Sequence, residues 1–107
     1  MVSDINDHEF EQKVINSKQP VLVDMWAPWC VPCRKVAPVV DKLSQKYDGK
    51  CQFFKMNIDE NPRTRARFRV MSLPTLIFFK DGAAVDMVVG AGASSESSLV
   101  PKVEDIL

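Results

Sequence analysis

"WAPWCVPCRKVAP", residues Trp26–Pro38, holds two of the chain's three cysteines, Cys30 and Cys33, with a proline beside the second. Ahead of it, "VLVDMW" (Val21–Trp26) is apolar apart from Asp24, the pattern of a strand buried on both faces, as in a parallel sheet. Behind it, Val36, Val39, Val40, Leu43 and Tyr47 recur along one side of a helix, and Gly49 is its natural stop. Pro38 within that helix predicts a kink. The dithiol therefore stands where a buried strand hands over to a helix.

Working outward, Asn6 and Glu9 have the spacing of a capping box, with Ile5 and Phe10 at the positions of a hydrophobic staple. They predict a first helix that Pro20 marks as ended. "CQFFKMNI" (Cys51–Ile58) predicts a strand, and Asn61-Pro62 predicts the N-cap and first position of a short helix. "TLIFF" (Thr75–Phe79) predicts a strand, and Asp81-Gly82 a hairpin turn into "AVDMVV" (Ala84–Val89). "GAGASSESS" (Gly90–Ser98) reads as a loop. With Ser98 as N-cap of the last helix, Pro101 falls in a first turn whose N–H groups have no helical partner to lose, and Leu99, Val103, Ile106 and Leu107 share one face. The order is α-β-α-β-α-β-β-α. It predicts an α/β fold with a central mixed sheet of four or five strands and helices on both faces.

Length and composition set limits. The chain has 107 residues, enough for one compact domain spanning 1–107. Its 46% hydrophobic residues suffice for a core, and 14 basic residues balance 14 acidic ones. That balance argues against a general nucleic-acid binder and against attraction to membranes by charge. "MVSDINDHEF" is polar and acidic, unlike a signal peptide, and no long apolar run follows. A cytoplasmic chain is expected. Three cysteines make no disulfide framework, and a close pair in a reducing compartment is catalytic or metal-binding more often than structural.

Cys-x-x-Cys admits four uses. Haem attachment needs His after the second Cys, where Arg34 stands. Tetrahedral zinc needs two further ligands, and Cys51 and His8 lack ligand-like spacing, so no metal is expected. A static disulfide would close a tiny loop and constrain the unfolded chain little. Reversible dithiol chemistry suits the location. A thiol at a helix N-terminus is favoured as thiolate, and residues three apart in a helical turn are close enough to bond.

Four segments taken in order, "VLVDMWAPWCVPCRKVAP", "FFKMNIDENP", "SLPTLIFFKDG" and "VVGA", make the chain resemble the thioredoxin family over nearly its whole length. The resemblance implies the thioredoxin fold and a protein-disulfide reductase without a bound cofactor. Its partners would be disulfide-containing proteins and a recharging thioredoxin reductase, and it would act as a monomer. Cys30, nearer the helix start and expected to be the more exposed, would attack a partner's disulfide. Cys33 would then resolve the mixed disulfide. From the residues alone, Asp24 reads equally as a buried acid paired with Lys55 and as a base whose pKa burial raises. The resemblance selects the base for Cys33, supported by Lys55. Pro74 in "SLPT" would read as an ordinary strand-entry proline. The resemblance implies a cis bond facing the dithiol, leaving Leu73's backbone free to pair with an extended partner segment. Trp29, Gly90 and Ala91 would line the same groove.

Val31 departs from the family's glycine and, with Pro32, is expected to tune the redox balance. Met25 stands for a usual Phe, and two extra residues follow Gly90. Cys51 reads as a buried small hydrophobe, His8 as a solvated helix residue, and the arginines at 63, 65, 67 and 69 as a solvated face rather than a steering patch. Two other functions fit the same pattern: a thioredoxin-fold binding subunit with incidental cysteines, and a disulfide-forming oxidase.

Overall fold

The computed structural model describes residues 1–90 and 95–107. Its elements, in chain order, are β1 (Val2–Asp4), α1 (Asp7–Phe10), β2 (Val21–Trp26), α2 (Val31–Lys46), β3 (Gln52–Asn57), α3 (Pro62–Arg67), β4 (Thr75–Lys80), β5 (Ala83–Val89) and α4 (Glu96–Ile106). A π-helical turn, Glu11–Ile15, extends α1. The five strands form one sheet in the order β1-β3-β2-β4-β5. β1 and β2 both run parallel to β3, whereas β2/β4 and β4/β5 are antiparallel. This is the mixed sheet of the thioredoxin fold, with helices on both faces.

β2 is the middle strand, and five of its six residues are buried. Its pleat sorts side chains between two cores. Val21, Val23 and Met25 join Ile5, Phe10, Val14, Ile77 and Phe79 on the face covered by α1. Leu22 joins Val36, Val40, Leu43, Leu76, Phe78, Leu99 and Val103 on the face covered by α2 and α4. Each such fully buried side chain contributes about 1.5–3 kcal/mol relative to exposure. Asp24 has Leu22's parity, so the one acid in the strand points at α2.

The cap of α1 forms as the spacing predicts: Glu9 N–H donates to Asn6 Oδ1 at 2.9 Å, and Asn6 N–H to Glu9 Oε1 at 3.3 Å. Ile5 and Phe10 are buried in the same cluster. The Asp81-Gly82 turn has φ of 52° and 81°, the pair of positive values a two-residue hairpin requires. A Cβ on Gly82 would also stand 2.7 Å from the Ile15 carbonyl oxygen. α2 runs unbroken through Pro38.

Four expectations need correction. A fifth strand, β1, precedes the first helix; its three residues are too few to show alternation, and its backbone pairing with β3 creates it. The first helical segment ends at Ile15, before Pro20. The last helix starts at Glu96 with Ser95 as N-cap, not at Ser98. Pro101 thus lies in the second turn, where the bond its N–H would have made to Ser97 is forgone; burial of Leu99, Val103 and Ile106 against the sheet holds the helix there. Leu107, last in the chain, is exposed rather than packed with them.

Candidate active site

Cys30 is the N-cap of α2, and Cys33 lies in its first turn. The two are joined in a disulfide, with Cα atoms 5.3 Å apart. Cys33 N–H also donates to Cys30 Sγ at 3.3 Å, so the first sulfur takes the place of a capping oxygen over an unpaired helix N–H. The loop before it is fixed twice: Cys30 N–H donates to the Ala27 carbonyl at 3.1 Å, and Arg34 Nη2 to the Pro28 carbonyl at 2.9 Å. Cys30 is not the more exposed thiol. Each cysteine is 4% exposed, because both are packed into the cluster that includes Met25, Ala27, Met56 and Ile58.

Asp24 is buried under α2, and its Oδ1 has no hydrogen-bond partner. A cavity of about 150 Å³ is lined by Asp24, Cys33, Lys55, Trp26, Arg34 and Ala37. Burial pushes the Asp24 carboxyl up to about 7, opposed by the attraction of Lys55 and reinforced by Asp41. The ion pair with Lys55 that a purely structural acid would make is absent among the described residues.

The Leu73–Pro74 bond is cis. Pro74 is buried, its carbonyl accepts from Gly90 N–H at 2.8 Å, and Leu73 packs against the cluster that holds both cysteines. Trp29 is 64% and Val31 57% exposed, flanking the buried Cys30. Pro32 follows Val31 on the exposed side of the first turn. Trp29 Nε1 donates to Asp59 Oδ2 at 2.9 Å. Ala91 lies outside the described residues. Cys51 is buried, and burial pushes its thiol up to about 12. His8 is exposed. Of the four arginines, Arg67 pairs with Glu11 at 3.0 Å and Arg65 Nε donates to the Val70 carbonyl.

Sequence reasoning missed Asp59, Arg34 and the exposed Met71. Asp59 lies in the quoted "NIDENP", but its link to Trp29 is a contact between residues 30 apart in sequence, which no local pattern carries.

The thioredoxin family model matches residues 1–105. The chain belongs to the thioredoxin family. It is 56% identical over 87 residues to a thioredoxin of Synechocystis sp., covering 81% of each chain. It is 49% identical over 100 residues to a thioredoxin of Porphyra purpurea, covering 92% of this chain and 94% of the other. To the chloroplastic M-type thioredoxin of Pisum sativum it is 46% identical over 100 residues, 94% of this chain and 57% of that one. As a thioredoxin-family protein with the redox-active cysteine pair, it is a thiol–disulfide oxidoreductase, and reduction of protein disulfides is the family's reaction. No helix among the described residues is long and apolar enough to cross a membrane.

Proposed function

We propose that Cys30 and Cys33 divide the reaction between them and that Asp24 moves the proton. The observation that carries this reading is the Cys30–Cys33 disulfide capping α2 above a cavity shared by Cys33 and Asp24. In the reduced protein, Cys30 sulfur attacks one sulfur of a substrate disulfide. A mixed disulfide forms, and the other substrate sulfur leaves as a thiolate. The Cys33 N–H at Cys30 Sγ and the positive end of α2 favour negative charge on that sulfur. Cys33 then passes its proton to Asp24 and attacks Cys30 sulfur. The mixed disulfide breaks, the second substrate thiolate leaves, and two electrons have passed to the substrate. An acid poised near neutrality can accept a proton at one step and return it at another. Lys55 supports this from a distance: it makes no ion pair with Asp24 among the described residues, and its attraction keeps the carboxylate form within reach near neutrality without locking it.

Trp29, Leu73, Pro74 and Gly90 form the docking groove in this reading. No hydrogen bond to the Leu73 backbone is found among the described residues, which leaves it to an incoming strand. Val31 and Pro32, between the sulfurs, tune the potential. The protein works as one domain and as a monomer, and a thioredoxin reductase restores the dithiol. The cytoplasm is the compartment we favour. The chloroplastic names of the Pisum sativum and Spinacia oleracea relatives support the plastid as a second reading.

Trapping tests the division of labour. Cys33→Ser should accumulate mixed disulfides on Cys30 that dithiothreitol releases, as read by mass spectrometry after incubation with an oxidised peptide. Cys30→Ser should trap far less, and Cys51→Ser should match the parent. Adducts on Cys51, or equal trapping by Cys30→Ser, would overturn the assignment.

A further inference from the structure

A row of three charged residues crosses three adjacent strands. Asp4 on β1 is the Cα partner of Lys55 on β3, and Lys55 is the Cα partner of Asp24 on β2. Paired residues in register project from the same face of a sheet, so one ammonium stands between two carboxylates. It leans outward. Lys55 Nζ is 4.0 Å from Asp4 Oδ1 and 5.9 Å from the centre of the Trp26 ring, and it makes no ion pair with Asp24 among the described residues.

We propose that Asp4 is a positioning residue: it holds the Lys55 ammonium outward over the Trp26 indole and so denies Asp24 a tight ion partner. The inference rests on Asp24 serving as base for Cys33. A carboxylate locked to an ammonium is a poor proton acceptor, whereas one left with burial alone is a good one. Trp26 completes the hold, since its ring face attracts a cation and its side chain lines the cavity that Asp24 and Cys33 share.

The other charges nearby do not take Asp4's place. Facing Asp24 from α2 are Asp41, which opposes its ionisation, and Cys33 and Arg34 at the cavity wall; β4 presents Leu76. On the outer side, Glu9 and Glu60 line the same cleft as Asp4. Glu9 is bound to Lys13 at 2.6 Å, and Glu60 accepts from Asn57 at 3.3 Å. Asp4 is the carboxylate left to Lys55. Its side chain is 81% exposed, so its replacement leaves the core untouched.

The test follows the Asp24 carboxyl directly by carbon-13 NMR titration of the reduced protein. Asp4→Asn should let Lys55 swing inward and lower the Asp24 midpoint by about 0.2–0.7 pH units, the range an exposed ion pair can supply. Asp4→Glu should keep the parent midpoint. Loss of Asp4's own charge would also lower it, so the same change is made in Lys55→Met, where the shift should be much smaller. An equal shift in both backgrounds, no shift, or a rise would overturn the proposal. Single-turnover rates judge the base separately. If the NMR midpoint moves in Asp4→Asn while the rate profile stays put, Asp4 does position Lys55, and it is Asp24's role as base that fails.

Discussion

Asp7 on α1 caps a helix that is not its own. Its Oδ1 accepts from Thr64 N–H at 2.9 Å and from the Thr64 hydroxyl at 2.6 Å, and its Oδ2 from Arg63 N–H at 3.1 Å. Asn61, the N-cap residue of α3, makes no cap bond to that helix; its Oδ1 accepts from Asp7 N–H at 2.8 Å instead. The two helix starts are therefore closed on each other across more than 50 residues of chain.

Asp7→Ala should cost about 1–2 kcal/mol, the range for loss of an N-cap. Burial of the carboxyl works to raise its pKa. The Thr64 hydroxyl, the two N–H groups and the Arg63 charge outweigh it, and the net value is lowered. A depressed folded pKa gives stability that is full above the unfolded value and lost as pH falls through the folded one. Urea midpoints of parent and variant should therefore differ at pH 7 and converge toward pH 2–3. A gap that persists in acid would show that Asp7 acts by packing alone.

Asp24→Asn should fold and be the more stable protein at neutral pH. Burial raises the Asp24 carboxyl to about 7, so between the unfolded value near 4 and that point the native state holds a proton the unfolded chain has released. Parent stability then falls as pH rises through this window and levels off above it. The ceiling on that loss is about 4 kcal/mol, and the Asn variant should not show it. Its single-turnover reduction of a protein disulfide should slow at neutral pH. Unchanged rates between pH 6 and 8 would remove Asp24 from the mechanism.

Val31→Gly should stay active while shifting the potential of the dithiol and its partner rates. Val31 is exposed beside Cys30 in the first turn of α2, where a β-branched side chain restricts the backbone and glycine relaxes it. Redox equilibration of both proteins against dithiothreitol reads the potential, and stopped-flow with a reductase reads the rates. If both agree between the two proteins, Val31 is neutral.

Asp59→Ala should release the exposed Trp29 ring from its 2.9 Å bond. One such bond is worth about 0.5–1.5 kcal/mol, so KM for insulin should rise about two- to tenfold with kcat little changed. A fall in kcat at constant KM would place Trp29 in the chemistry rather than in docking.

Much of this was legible from the chain. β2, α2 and the hairpin announce themselves because burial on both faces, a 3.6-residue period and an Asp-Gly turn are local signals. The capping box at Asn6 is likewise local. β1 was not legible: three residues, two of them polar, become a strand only through β3's unpaired edge. The start of α4 was misplaced because Pro101 suggested a first turn, while burial of Leu99 and Val103 outweighs the lost bond. At the site, Cys30, Cys33 and Asp24 stand out by residue type. Asp4, Asp59 and the burial of Cys30 depend on contacts between segments, which sequence spacing does not encode.

The position of β2 between β3 and β4 also sets how the molecule breathes. A strand paired on both sides and covered on both faces exchanges its amide hydrogens only when the whole domain opens, whereas short edge strands fray far more often. The amides around Asp24 should thus exchange among the slowest in the protein, and those around Asp4, on the three-residue edge strand β1, among the fastest. The proposed proton acceptor should be shielded from local opening. The charge that steers its neighbour lies where the sheet loosens first.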